Sequence, residues 1–340
     1  MRGIAAAPAV SSGPWFILAR VPTPHVSDIT SPRWSVAILS AREELETLVT
    51  TLDASLAALS GQDAVVDVLV NGHGGVARTL GERLQQRGGT PAKVTVRVWA
   101  LPLRDKANAW NTYVHQIWPG SACTFFVDGY ASVQPDAFTR LDARLAQAAD
   151  AVAAAAVPTV GRSAPLVRAW MLEASQIHGS LYAVRGDALQ RMRAAGFRLP
   201  LGFYRTDALL GTLFNFNLDP PAHPWDERGI VVAADATWTM RVSSLWRLAD
   251  LGAQTARVFR QAVGRFEEAA IKEHLYDRRR SPLEIPSRPM ALVDTWMRRH
   301  PASALRLLAR HPLALVRLAL VRWRTDWRLR EDAPRCVYPS

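Results

Sequence analysis

From Trp34 onward the chain alternates short apolar runs with segments whose apolar residues recur at helical spacing. Trp34–Leu39 (WSVAIL) suits a buried strand, and Leu45, Leu48, Leu52, Leu56 and Leu59 then fall three or four residues apart, which predicts a helix over Glu43–Leu59. The alternation repeats three times: a Val-rich run at Ala64–Val70 before a helix at Val76–Leu84, VTVRVWA at Val94–Ala100 before a helix at Ala107–Ile117, and TFFV at Thr124–Val127 before a helix at Pro135–Ala149. Such alternation predicts a parallel sheet covered by helices. In open sheets of this kind, ligands bind beyond the carboxyl ends of the strands. The segments that follow the strands are therefore the ones to read for chemistry: Ser40–Glu44, Asn71–Gly75, Leu101–Asn111 and Asp128–Val133.

After Pro158 the pattern is less regular. Ser180–Val184 reads as a strand, Gly186–Ala195 as a helix, Leu199–Gly211 as a Pro- and Gly-containing loop entering a short helix, and Gln254–Tyr276 as a long helix. Pro289–Arg330 reads as mostly helical, with breaks at Pro301 and Pro312. The first 32 residues hold five prolines and little periodicity, and are expected to form a poorly ordered arm.

Composition narrows the class. With 49% apolar and 21% charged residues the chain is globular. Two cysteines, Cys123 and Cys336, exclude a disulfide scaffold and a Cys-based zinc ribbon and fit a reducing, cytoplasmic setting. No run reaches the length of a membrane span, and the N-terminus lacks the pattern of a signal peptide. The net charge of +11 is unevenly placed: residues 271–340 carry fifteen Lys or Arg against seven Asp or Glu, so +8 lies in this stretch. The basicity belongs to a C-terminal extension, and the body is nearly neutral, which argues against nucleic acid as the partner.

The four segments, taken in order, resemble the GT-A domain of family 2 glycosyltransferases over roughly Trp34–Phe266. Ser40-Ala41-Arg42-Glu43-Glu44 is similar to the family's polar segment after the first strand, with Glu44 as the match for a residue that contacts the nucleotide. Two acids opening a helix have a plain structural reading as well. Asn71-Gly72-His73-Gly74-Gly75 lies where the family has an Asp-containing turn near the base, and Asn71 stands closest to that Asp. Asp105-Lys106-Ala107-Asn108-Ala109-Trp110-Asn111 resembles Gly-Lys-Ala-x-Ala-x-Asn, which implies phosphate contacts by Lys106, Asn108 and Asn111 at a helix start. Asp105 replaces the usual Gly and suits a helix cap.

Phe125-Phe126-Val127-Asp128-Gly129-Tyr130 matches the strand that ends in Asp-x-Asp. The resemblance implies Mn²⁺ or Mg²⁺ at Asp128, but Tyr130 replaces the second carboxylate. Three outcomes stay open: coordination by Asp128 alone, replacement of the ion by Lys106 and other basic residues, or loss of activity. Pro200-Leu201-Gly202-Phe203-Tyr204-Arg205-Thr206-Asp207 resembles the acceptor-side Glu-Asp motif, with Thr206 in the Glu position and Asp207 as the implied general base. The rival reading of Asp207 is a helix cap.

The sequence thus predicts an α/β fold: a GT-A mixed sheet flanked by helices, with a basic helical C-terminal extension. The boundaries are an arm over 1–32, the GT-A-like domain over 33–270 and the extension over 271–340. The implied activity is transfer of a sugar, with inversion, from a nucleotide-sugar donor, UDP-linked, to a saccharide or lipid-linked acceptor. The alternatives are a non-catalytic nucleotide-sugar-binding or assembly protein on the same fold, and a peripheral membrane adaptor acting through the tail. In the tail, Leu313, Val316, Leu320, Trp323 and Trp327 form one stripe flanked by Arg310, Arg317, Arg324 and Arg328. That pattern serves packing on the chain's own domain or contact with an anionic bilayer, the first being favoured.

Overall fold

A computed structural model describes residues 31–59, 61–88, 90–161, 163–240, 248–323 and 325–339, without the side chains of 248–256. The expected N-terminal arm, up to Thr30, and Arg324 of the tail stripe lie outside the described residues. The first half follows the alternation read from the sequence: β1 (Trp34–Ser40), α1 (Leu45–Ala58), β2 (Ala64–Asn71), α2 (Gly74–Gln86), β3 (Val94–Leu101), α3 (Lys106–Thr112, continued by a π-helical turn to Ile117) and β4 (Cys123–Asp128). Then come β5 (Ser132–Val133), α4 (Ala137–Gln147), β6 (Ala153–Pro158), α5 (Ala164–Ala174), β7 (Leu181–Arg185), α6 (Gly186–Ala194), α7 (Thr206–Asn215), β8 (Ile230–Thr239) and α8 (Leu248–Ile271). The C-terminal part adds α9 (Ala291–Arg299), α10 (Pro301–Arg310), α11 (Leu313–Trp323) and β9 (Arg335–Tyr338).

The strands form a single mixed sheet in the order β5-β8-β6-β7-β4-β1-β2-β3-β9. β4, β1, β2 and β3 are parallel, whereas β7 and β9 run antiparallel to their neighbours β4 and β3. From β1 the chain steps outward to β2 and β3, then returns to place β4 on the other side of β1. The strand order therefore reverses between β1 and β4, and in open sheets of this kind the carboxyl edge at such a reversal is where ligands bind.

Alternation of side chains across the pleat gives each sheet face its own core. Val36, Ile38, Val66, Val68, Phe125 and Val127 pack with Leu48, Leu52, Leu80 and Phe138 of α1, α2 and α4. Ala37, Leu39, Leu69 and Phe126 pack on the opposite face with Trp110, Tyr113, Phe214 and Phe266. Trp110 stacks on Phe126 at 5.9 Å between ring centroids, and Phe126 stacks on Tyr182 at 5.0 Å. One charge lies inside this second core: Asp67, fully buried on β2, accepts hydrogen bonds from Arg97 Nε (2.7 Å), Arg97 Nη2 (2.9 Å) and Trp99 Nε1 (2.8 Å).

The C-terminal extension joins the same core instead of forming a separate layer. Ala314, Leu318 and Val321 of α11 are buried in the cluster that holds Ala262, Val263 and Phe266 of α8, and β9 extends the sheet at β3. The buried face of α11 is not the stripe expected from the sequence. Leu313, Val316 and Trp323 are exposed, and Trp327 lies beyond the end of the helix in a short 3₁₀ turn. The helix is apolar on both sides, and α8 accepts the side whose smaller Ala314 permits close approach.

Replacing Asp67 with Ala leaves the Arg97 guanidinium partly buried without its countercharge. Asp67→Ala is expected to lower unfolding stability by about 3–5 kcal/mol. This would be read as a lower urea midpoint at unchanged slope.

Candidate active site

The carboxyl edge of the sheet at the β1/β4 reversal gathers polar groups from five segments. Asp128 closes β4 and is nearly buried, with its side chain on the Phe126 face of the sheet. One of its oxygens, Oδ1, accepts from the ammonium of Lys106, the first residue of α3. The other, Oδ2, accepts from Tyr130 Oη at 2.9 Å, and that phenol is also hydrogen-bonded to Ser180 Oγ at 3.1 Å. Burial and the neighbouring Asp128 hold the Tyr130 phenol well above its ordinary range, so it remains a protonated donor. Burial disfavours the Lys106 charge, but Asp128 outweighs it, with Asp207 and Glu43 adding to the effect, and the ammonium is held above the usual lysine range.

Asp207 is the second residue of α7; the cap position belongs to Arg205, so the helix-cap reading of Asp207 does not apply. Its Oδ2 accepts from the backbone N–H of Gly179 at 3.3 Å, and its Oδ1 accepts from the N–H of Ala208 at 3.0 Å. Gly179 is the common neighbour of the two charged groups. A Cβ at this position would meet Lys106 Nζ at 3.0 Å and Asp207 Oδ2 at 3.6 Å, so a larger residue would crowd the ammonium and leave Asp207 in ordinary contact. His178, half-buried against Trp238 with 5.2 Å between ring centroids, borders the same space. Burial holds its imidazole below the ordinary histidine range, against the opposing influence of Asp207 and Asp128.

Three residues singled out in the sequence sit apart from this cluster. Asn111 is locked to the backbone of Leu199, donating from Nδ2 to the carbonyl at 2.9 Å and accepting at Oδ1 from the N–H at 2.7 Å. It fixes the loop that leads to α7, and these two bonds leave one of its amide N–H donors unused. Asn108 is buried in the first turn of α3, and its N–H donates to Asp105 Oδ1 at 2.8 Å. The Asn108 N–H at the start of α3 is thus already taken by the protein's own carboxylate. Glu44 is exposed at the start of α1 and makes no capping hydrogen bond. Its neighbour Glu43, which the sequence reading passed over, is the acid at the sheet edge. Glu43 Oε2 accepts from Ser40 Oγ (2.8 Å), Ala41 N (2.8 Å) and Arg42 N (2.9 Å). Burial alone would raise this carboxyl, but the donors outweigh it and the group is held below its ordinary range.

Asn71 ends β2 and is fully buried. Neither its amide nitrogen nor its amide oxygen has a hydrogen-bond partner among the described residues. An unpaired buried amide costs on the order of 1–3 kcal/mol.

The loop that carries Asp207 is held from four sides. Asn111 grips Leu199, Asp105 Oδ2 accepts from Gly202 N at 3.0 Å, and Glu267 of α8, fully buried, accepts from Tyr204 N at 3.0 Å and Arg205 N at 2.7 Å. The tail closes the fourth side. Gly202 has φ +80°, and a Cβ there would lie 3.0 Å from Val321 Cγ1 and 3.3 Å from Trp327 Cη2. Burial raises the Asp105 carboxyl to about 6 and the Glu267 carboxyl to about 7, against backbone donors and the charge of Arg317 on α11. Arg317 belongs to a group of guanidinium ions with Arg42, Arg257 and Arg260. Burial and the mutual repulsion with Arg42, Arg317 and Arg257 bring Arg260 down to about 10, against Tyr204.

The fit of this site to a divalent cation follows from its donors. Asp128 has both oxygens engaged, the second motif position is a phenol, and among the described residues no group of three or more His, Cys, Asp or Glu is placed to hold a metal ion. Mg²⁺ and Mn²⁺ want several hard oxygen ligands. The residues present do not fit such an ion.

No protein-family model and no curated protein matches the sequence. Among solved structures, the mannosyltransferase PcManGT from Pyrobaculum calidifontis, in complex with GDP-Man and Mn²⁺, aligns over 86% of this chain and 88% of that chain, with a TM-score of 0.52 at 14% identity. S. aureus TarS 1–349 in complex with UDP-GlcNAc aligns over 75% of this chain and 76% of that chain, with a TM-score of 0.45 at 11% identity. The nine-stranded mixed sheet flanked by helices is a GT-A-like fold, shared with that mannosyltransferase.

The raised carboxyl of Glu267 has a consequence for stability. An acid whose folded pKa of about 7 exceeds its ordinary value of 4.5 is favoured in its protonated form by the fold. Its contribution is fully present below about pH 4.5 and is lost as pH rises to about 7. Glu267→Gln is expected to flatten this decline. Urea midpoints across that pH interval should fall less for the variant than for the wild type.

Proposed function

We propose that this protein is a glycosyltransferase that moves a sugar from a nucleotide-sugar donor to an acceptor hydroxyl by a single inverting displacement. The observation that carries the reading is the meeting of Asp128, Lys106 and Asp207 around Gly179 at the strand-order reversal of a GT-A-like sheet. The donor's diphosphate lies at Lys106, and its base lies toward Asn71 and the Glu43 turn. The orphaned Asn71 amide carries N–H donors beside a carbonyl acceptor, the complement of a uracil imide edge, and an opening of the turn above this buried group would let it read a UDP-linked donor. The family 2 resemblance and a cytoplasmic location belong to the same proposal.

In the reaction, the acceptor oxygen attacks the anomeric carbon while the bond from that carbon to the phosphate oxygen breaks. The bond electrons leave with the nucleoside diphosphate, whose charge Lys106 stabilises. The acceptor proton passes to Asp207, a carboxylate beside Lys106 and Asp128 that has no ion-pair partner among the described side chains. His178, kept neutral, orients groups beside it.

Incubating the purified chain with a panel of nucleotide-sugars and saccharide or lipid-linked acceptors tests the reading. Asp207→Asn is expected to lower turnover by about 10²-fold or more while leaving nucleoside diphosphate affinity unchanged. Near-normal turnover in Asp207→Asn removes that residue from the role of base. Nucleotide binding with no transfer to any acceptor favours the non-catalytic alternative.

A peripheral membrane contact is favoured by one observation. Leu313 (39% exposed), Val316 (48%) and Trp323 (84%) present an outward apolar face on α11, within the basic extension. No helix among the described residues is long and apolar enough to cross a membrane. Such a face lies on an anionic bilayer with arginines toward the headgroups. Trp323→Glu is expected to reduce sedimentation with anionic vesicles by several-fold, with no effect on nucleotide binding. Equal sedimentation of both proteins removes the membrane contact.

A further inference from the structure

The place that a divalent ion would take is filled by the chain itself. An ion approaching Asp128 meets the Lys106 ammonium already on Oδ1 and the Tyr130 hydroxyl already on Oδ2. To bind, it would have to expel a cation and break a phenol bond that Ser180 also supports. It would gain one carboxylate, with no second one at the motif position. Asp207 alone does not make up the deficit, since among the described residues no third carboxylate, His or Cys is placed with it and Asp128 to hold an ion.

We propose that the Lys106 ammonium is the resident cation of the diphosphate site and that nucleoside diphosphates bind there without a divalent metal. This rests on the donor-site reading above. An ammonium has three N–H donors. Asp128 takes one, the carbonyl of Gly179 lies at 3.4 Å for a second, and at least one remains for a phosphate oxygen. Asp128 and Tyr130 then act as positioning residues. The carboxylate holds the ammonium at the strand end, and the phenol occupies the second oxygen, which would otherwise attract a metal. A single positive charge is less than a divalent ion supplies, and arginines from neighbouring segments add to it. Arg42 follows β1, Arg104 anchors to the Ala41 carbonyl at 2.8 Å, and Arg317 comes from the tail; none of the three has a carboxylate ion pair among the described residues. Arg260 faces the Tyr204 ring at 5.8 Å, and its Nε is buried without a partner.

Calorimetric titration of the full chain with UDP and GDP, in EDTA and in excess MnCl₂, tests the proposal directly. The dissociation constants in the two buffers are expected to agree within about threefold. Lys106→Gln is expected to weaken binding at least about tenfold in both buffers. Tyr130→Asp, which restores the second carboxylate and frees Asp128 Oδ2, is expected to create a preference for Mn²⁺ absent from the wild type. Wild-type binding that requires Mn²⁺, or tightens about tenfold with it, overturns the proposal and leaves the donor site standing. Binding of neither nucleotide in either buffer overturns the donor-site reading and this proposal with it.

Discussion

A carboxylate at the buried end of a strand must be satisfied, and the arrangement around Asp128 follows from that requirement. Leaving one partner of a buried pair alone costs several kcal/mol, so Lys106 has to be delivered to a fixed point. It arrives on the first residue of α3. Asp105 fixes that start by accepting from Asn108 N, and its second oxygen reaches across to Gly202 N. The same carboxyl therefore sets the position of the resident cation and of the loop that presents Asp207. Gly179 fits between the two because it has no side chain. The geometry of the candidate site is a chain of satisfied polar groups, and no single motif defines it.

This chain of contacts gives the C-terminal extension a place in the site. The loop from Leu199 to Asp207 buries Leu199, Leu201 and Phe203 in the core, and Asn111, Asp105, Glu267 and the tail hold its backbone. Asp105 and Glu267 are both buried with raised carboxyls, and Arg317 of α11 is among the charges that favour their ionised forms. The +8 of residues 271–340 is therefore not all outward-facing: part of it is countercharge for buried acids beside the candidate site. The boundary at residue 270 marks a shift in composition, while the core runs across it without interruption.

What the sequence made legible was what local pattern controls. β1 to β4 and their helices are visible because Val-rich runs alternate with helical spacing, and Asp128 and Lys106 are visible because they follow such elements. β6 was missed: its sequence AAAAVP favours a helix by propensity, yet it lies fully buried between β7 and β8, where small side chains suit both crowded faces. β8 and β9 were missed because their partners are remote in sequence. Glu44 was preferred to Glu43 by motif spacing, but the turn after Ser40 aims three donors at Glu43. Asn111 matched a motif whose amide, here, is engaged by Leu199. In each case the deciding partner comes from elsewhere in the chain, at a distance that no local pattern encodes.

The two motif departures that favoured a decayed, non-catalytic site have a different meaning once those partners are known. Tyr130 replaces a carboxylate, and Lys106 neutralises Asp128 while the phenol donates to its other oxygen. Thr206 replaces another carboxylate at the start of α7. There the neighbouring backbone donors at Tyr204 and Arg205 are satisfied by Glu267, supplied from α8. A site drifting without function accumulates unpaired buried groups, each costly. Here both substitutions are accompanied by groups that complete the hydrogen bonding. The orphaned side chain at this edge, Asn71, lies where the donor's base is proposed to sit. Arg205 Nε, two residues before Asp207, is likewise buried without a partner among the described residues, so the polar groups still unpaired at this edge lie beside the proposed base and the proposed nucleotide position.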